Sequence, residues 1–138
     1  QSVIQVNLNA VFLLTRILMP LLQRSEDGRL IFTSSGVGTV PRAYWGAYSV
    51  SKYAIEGLAK ILADELEQTS KIRVSIVNPG ATRTRMRAEA FPTENPDELK
   101  TATDLMPLYT YLLGPESREE HGRLFAPDWL PESHSAQQ

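Results

Sequence analysis

The sequence predicts an α/β fold in which helices cover both faces of a parallel sheet. Two observations carry this. Apolar residues recur at helical spacing in two long stretches, while short consecutive runs rich in β-branched residues lie between and after them. These segments alternate along the chain as helix, strand, helix, strand, helix, strand, the order that generates right-handed βαβ units.

Val3, Val6, Ala10, Leu13/Leu14 and Ile17/Leu18 mark the apolar face of a first helix, with Pro20 near its end and Ser25-Glu26-Asp27-Gly28 as the turn that follows. Leu30-Ile31-Phe32-Thr33 is a buried strand. Ser34 to Trp45, with Gly36, Gly38 and Pro41, is a loop. Val50, Ala54, Leu58, Ile61/Leu62 and Leu66 define a long helix over Ala47 to Gln68. Ile72 to Val77 is a second buried strand, stopped by Asn78-Pro79-Gly80. Residues 81–100, with Pro92 and Pro96, form an irregular, partly helical excursion. Thr103-Asp104 starts a third helix, Pro107 falls in its first turn, and Gly114-Pro115 stops it. Gly122 to Phe125 is a short last strand. The polar stretch Pro131 to Gln138 is expected to be disordered.

Composition narrows the function classes. The 138 residues, 42% apolar and 22% charged, match one ordinary globular domain. There is no cysteine, hence no disulfide framework, thiolate nucleophile or Cys-based zinc site. His121 and His134 are too few and too far apart for a metal cluster and are expected on the surface; no metal is expected. A net charge of −2 argues against a nucleic-acid partner. The longest apolar run, Val11 to Leu22, is interrupted by Arg16 and Pro20 and is too short for a bilayer, so no membrane partner is expected. Without a secretory signal, and with zero cysteine, a cytoplasmic protein is expected. Lys71 to Arg87 holds five basic residues and no acidic one, whereas Glu89 to Glu132 holds ten acids against three bases. Solvated surface accounts for this asymmetry; a basic loop able to meet an anionic ligand is the alternative.

In an open parallel sheet, ligands sit beyond the carboxyl ends of the strands. Two strands end there in Ser34-Ser35 and in Asn78-Pro79-Gly80. Tyr48 and Lys52 lie four apart at the start of the long helix, on one face. A free tyrosine, with a pKa of about 10, is a poor acid or base at neutral pH. An ammonium one turn away stabilises the phenolate, each unit of lowering being worth about 1.4 kcal/mol. The pair is a general acid/base device at a ligand edge. Ser35, thirteen residues before Tyr48, ends the preceding strand and can reach the same substrate oxygen.

Thr33-Ser34-Ser35, Tyr48-Ser49-Val50-Ser51-Lys52-Tyr53-Ala54 and Asn78-Pro79-Gly80 with Thr84 resemble the second half of a short-chain dehydrogenase/reductase. The resemblance runs from about residue 3 to residue 126 and includes Val6-Asn7-Leu8-Asn9-Ala10-Val11-Phe12. Trp45-Gly46-Ala47-Tyr48 and the stretch Arg83 to Leu105 look most like the YciK-like bacterial branch. It implies a partial Rossmann-like, doubly wound parallel sheet with the later strands and helices only, residues 1–130 being the C-terminal part of one NAD(P)-binding domain. It also implies roles. Tyr48 would exchange a proton with a substrate alcohol or carbonyl. Lys52 would depress the Tyr48 pKa and bond the nicotinamide ribose. Ser35 would polarise the substrate oxygen, and Asn7 would hold a water linking Lys52 to solvent. Pro79, Gly80, Thr82 and Thr84 would meet the nicotinamide half of NAD or NADP. Met86 and Phe91 are candidates for closing an apolar substrate pocket, with simple core packing as the alternative. Arg83, Arg85 and Arg87 are expected to be solvated.

Two features depart from the family. The glycine-rich turn that cradles a pyrophosphate is absent, since Gly36-Val37-Gly38 follows the serine instead of the first strand. The residue that would choose NAD or NADP is missing with it. Members of this type have about 250 residues, within the size of one α/β domain. The chain starts at Gln1, so roughly the first hundred residues of the parent protein are expected upstream. The strand at Leu30 to Thr33 would then present an open edge, and the chain alone would be poorly stable and would bind no dinucleotide. Ala126-Pro127-Asp128-Trp129 also stands where many members have an Asp-Gly-Gly turn. The reading is an NAD(P)-dependent oxidoreductase of a small secondary alcohol or carbonyl, homodimeric or homotetrameric when complete. The alternatives are a non-catalytic dinucleotide-binding or regulatory relative, and a subunit pairing with a separate first-half chain.

Overall fold

A computed structural model describes residues 2–129; the polar tail from Pro131 lies outside the described residues. Three parallel strands, β1 (Arg29–Thr33), β2 (Arg73–Val77) and β3 (Arg123–Phe125), form one sheet in the order β1-β2-β3. Arg29 pairs with Arg73 and Thr33 with Val77; Ser75 pairs with Arg123 and Val77 with Phe125. The ladder continues past the strand ends, where Ser34 N donates to Val77 O and Asn78 N to Phe125 O. Ser34 and Asn78 therefore stand side by side at the carboxyl edge, as the sequence predicts.

The alternation of side chains along the strands makes a three-layer α/β arrangement. Leu30, Phe32, Val74, Ile76 and Leu124 pack with Ile55, Ala59, Ala63 and Leu66 of α3 (Gly46–Glu67). Ile31, Val77 and Phe125 pack on the other face with Leu108 and Leu112 of α5 (Met106–Leu113). Burying each large aliphatic side chain contributes about 1.5–3 kcal/mol. A short helix α4 (Arg85–Ala90) and a 3-10 turn at Pro96–Glu98 fill the excursion between β2 and α5. A 3-10 turn at Thr103–Leu105 leads into α5, and Gly114 ends it as predicted.

The first helix differs from the sequence reading in two respects. It runs without a break over Ser2–Arg24, as α1 (Ser2–Ile4), a π-helical turn at Gln5–Asn9 and α2 (Ala10–Arg24), so Pro20 lies inside it. The expectation that its apolar run is too short for a bilayer is thereby corrected: at 23 residues this helix is long and apolar enough by length and composition. Leu8, Val11, Met19 and Leu22 lie against the sheet core, while most of the helix surface is exposed. The second difference is the face. Val3, Val6, Ala10, Leu13, Leu14, Ile17 and Leu18, the residues of the predicted stripe, are exposed. Leu8, Val11, Thr15, Met19 and Leu22 form a second stripe at the same spacing, and it is this one that turns inward. The helix is apolar on both sides, which periodicity alone does not resolve into an inner and an outer face.

Two polar anchors hold the layers. Arg29, its side chain 6% exposed, pairs with Asp27 at 2.9 Å and donates to Gly114 O at 3.1 Å and to both oxygens of Ser117. It thus satisfies the end of α5 from the sheet. His121, expected on the surface, is partly buried between β2 and α3. Its Nδ1 accepts from Val74 N at 3.1 Å, which makes Nε2 the protonated nitrogen, donating to Ala63 O at 2.7 Å. The ring substitutes for a ladder partner that a three-residue β3 is too short to supply.

Candidate active site

The first turns of α3 arrive at the carboxyl end of β1. Lys52 Nζ donates to the Thr33 carbonyl at 3.0 Å and lies 5.7 Å from the centre of the Tyr48 ring. The four-residue spacing therefore places both groups at the predicted edge. Burial lowers the Lys52 pKa from the ordinary lysine value, because desolvation penalises the ammonium. An ammonium has three donors, and Thr33 O takes one; no other acceptor bonds Nζ among the described residues. The remaining donors are available to a cleft of about 270 Å³ lined by Val6, Asn7, Val11, Ile31, Phe32, Thr33, Lys52 and Ile55. This cleft runs along the open edge of β1.

Asn7 sits in the π-helical turn, a widening that recurs at functional sites. Its Nδ2 donates to Ser51 Oγ at 3.2 Å, and Ser51 Oγ donates to Tyr48 O at 2.7 Å. The asparagine is thus tied to the Tyr48 turn through a side chain that the sequence reading did not single out. Asn7 and Lys52 line the same cleft, with no direct bond between them.

Ser35 lies in extended backbone, φ −156° and ψ 161°, immediately before the 3-10 turn Gly36–Gly38. Its carbonyl accepts from Gly38 N at 2.9 Å. Gly38 must be glycine for an internal reason: an added Cβ would lie 2.5 Å from Ser34 Oγ and 2.9 Å from a Glu56 oxygen. Gly38 therefore serves close packing, whereas a Cβ at Gly36 would meet only Asn78 Nδ2, at 3.8 Å.

On the far side of the edge, Asn78 Oδ1 accepts from Gly80 N at 3.0 Å, and Thr82 Oγ1 donates to Gly80 O. Gly80 has φ +67°, and its missing Cβ would collide with Pro127. The departure at Ala126-Pro127-Asp128-Trp129 is thus accommodated: Pro127 seats on Gly80, and Trp129 stacks on Phe125 and Tyr111. Thr84 caps α4 by accepting from Arg87 N at 3.1 Å.

The loop candidates separate. Met86 is 66% exposed. Phe91 lies between Trp45, at 6.0 Å, and the Arg87 guanidinium, at 3.8 Å; Trp45 in turn meets the Tyr48 ring at 5.8 Å. Arg83, Arg85 and Arg87 pair with Asp97, Glu89 and Glu94. The bond from Arg87 raises its own pKa and lowers that of Glu94. Trp45, Ser49, Ser51 and Glu56 join the site from the structure. Their signal in the sequence was position, since Glu56 lies one turn beyond Lys52 and two beyond Tyr48 on the same face.

The donors left on Lys52, beside Asn7 in an open cleft, fit the hydroxyls of a nicotinamide ribose. Among the described residues no glycine-rich cradle fits the pyrophosphate. A family model for short chain dehydrogenase matches residues 1–95. The uncharacterized oxidoreductase YciK of Escherichia coli K12 is 56% identical over 125 residues, 91% of this chain and 49% of that protein. The 0.95 Å structure of yciK from E. coli superposes with a TM-score of 0.86 at 54% identity, covering 91% of this chain and 51% of that one. A short chain dehydrogenase of E. coli CFT073 complexed with NADPH gives a TM-score of 0.86 at 54% identity, over 91% of this chain and 52% of that one. The chain spans about half the length of these relatives. It belongs to the short-chain dehydrogenase/reductase family of oxidoreductases.

Proposed function

We propose that this chain is the catalytic and substrate-loop part of an NAD(P)-dependent oxidoreductase that interconverts a small secondary alcohol and its carbonyl. The observation that carries the reading is the Lys52 ammonium, fixed on the Thr33 carbonyl beside the Tyr48 ring and open to the Asn7 cleft.

A bound nicotinamide supplies or accepts the hydride. Tyr48 Oη gives its proton to the substrate oxygen in reduction and takes it back in oxidation. Lys52 stands 5.7 Å from the Tyr48 ring centre and holds the ribose hydroxyls with the donors that Thr33 leaves free. The Ser35 hydroxyl bonds the substrate oxygen and orients it toward Tyr48. Asn7 lines the cleft through which the Tyr48–Lys52 pair recovers a proton from solvent. Pro79, Gly80, Thr82 and Thr84 form the wall on the β2 side, where Gly80 and Thr84 also shape the turn and cap α4. Phe91 closes the substrate side through Trp45.

NADP is favoured over NAD by the NADPH-bound relative. Cytoplasmic location and a homodimer or homotetramer complete the proposal. The test uses the complete gene product. Fluorescence titration is expected to show NADPH binding, and absorbance at the nicotinamide band is expected to fall when a carbonyl probe such as 9,10-phenanthrenequinone is added. Failure of both NADPH and NADH to bind the complete protein would defeat the reading.

A further inference from the structure

Glu56 is a buried acid with no part in the chemistry just described. It is 5% exposed and forms no ion pair among the described residues. Its Oε1 accepts from Ser34 Oγ at 2.6 Å and from Thr39 Oγ1 at 3.1 Å. These two hydroxyls bracket the segment that carries Ser35. A carboxyl group withdrawn from water without a cation is costly unless its hydrogen bonds repay the loss. Both hydroxyls belong to one six-residue stretch, residues 34–39.

Two further side chains of α3 reach the same loop. Ser49 Oγ donates to Val37 O at 2.6 Å, and Tyr53 Oη donates to Thr39 O at 2.6 Å. Gly38 completes the fit, because any Cβ there would strike Ser34 Oγ, Glu56 Oε1 and Lys52 Cβ. The helix that carries Tyr48 and Lys52 thus also grips both ends of the serine loop.

We propose that Glu56 is a positioning residue that sets Ser35 against Tyr48, acting through Ser34 and Thr39. The proposal rests on the oxidoreductase reading for its kinetic consequence but not for the clamp itself. Displacement of a polarising group by about 1 Å costs up to about a hundredfold in rate.

The experiment compares Glu56→Leu, Glu56→Gln, Ser35→Ala and Ser35→Ala/Glu56→Leu in the complete gene product. Turnover is followed with NADPH and 9,10-phenanthrenequinone, and amide hydrogen exchange is followed by mass spectrometry. Glu56→Leu is expected to lower kcat about thirty- to a hundredfold with NADPH affinity unchanged. Glu56→Gln restores most of kcat, since its Oε1 still accepts from Ser34 and its amide donates to Thr39 Oγ1. In the Ser35→Ala background Glu56→Leu costs little more, because the two act as one unit. Exchange of Gly38–Val40 amides quickens at least about tenfold, the sign of a loop opening locally, while β2 amides keep their protection. Additive losses of kcat, or unchanged exchange in the loop, would overturn the proposal. If the wild-type protein binds NADPH but does not turn over the probe, the oxidoreductase reading is what fails, and the exchange comparison still decides the clamp.

Discussion

Lys52 Nζ is anchored on the carbonyl oxygen of Thr33 at 3.0 Å. This one bond fixes an ammonium group on α3 to the last residue of β1 and gives the Tyr48–Lys52 helix turn a defined place on the sheet. It also takes the charge partly out of water, which lowers the lysine pKa.

A pH dependence follows with a definite sign. The folded value lies below that of the unfolded chain, so between the two the unfolded chain binds more protons. Stability contributed by this residue therefore rises with pH as pH passes upward through that window. Urea unfolding of the complete protein and of Lys52→Met, at steps from neutral pH to the ordinary lysine value, measures it. The stability difference, wild type minus variant, is expected to increase with pH; a flat or falling difference contradicts the burial account.

Arg29 joins the sheet to the end of α5 through Asp27, Gly114 and Ser117 with a side chain that is almost wholly buried. Arg29→Met retains much of the stem but removes the charged donor that Gly114 O and both Ser117 oxygens share, and leaves Asp27 without its buried cation. A loss of about 3 kcal/mol is expected, typical of removing one partner from a buried charged network. Asp27→Ala, whose carboxylate is more exposed, is expected to cost under about 1 kcal/mol. Denaturant unfolding of both variants ranks them, and equal effects would refute the assignment of Arg29 as the anchor.

Among the described residues β1 stands at the sheet edge, with Val6, Leu13, Leu14, Ile17 and Leu21 exposed on the adjoining helix. An open apolar edge favours association between chains. The isolated polypeptide is expected to aggregate at micromolar concentration and to show no saturable heat of NADPH binding by calorimetry. Stoichiometric binding would show that these residues alone provide a pyrophosphate site.

Most of the framework was legible in the sequence because it rests on period and punctuation. The ends of α3 and of all three strands fall within a residue or two of the readings from Val50-Ala54-Leu58, Ile72 to Val77 and Gly122 to Phe125. Tyr48 and Lys52 were legible because helical spacing by itself puts them on one face. What remained hidden depends on contacts between distant segments. The inner face of the first helix is chosen by the sheet, and its apolar pattern admits two faces. Glu56 reads as an ordinary helical acid until the loop of Ser34 and Thr39 folds onto it. His121 reads as surface until Val74 and Ala63 come to either side. Thr84 and Gly80 carry structural tasks, a helix cap and a seat for Pro127, which their motif positions do not reveal.

The central claim is that Tyr48 moves the proton that accompanies hydride transfer. Single-turnover reduction of 9,10-phenanthrenequinone by the NADPH-loaded complete protein measures that step apart from product release. Tyr48→Phe keeps the ring against Trp45 and removes only the hydroxyl. The account predicts a loss of about 10²–10⁴ in the rate of the chemical step with NADPH affinity unchanged. A Tyr48→Phe protein that reduces the probe at the wild-type rate would contradict it.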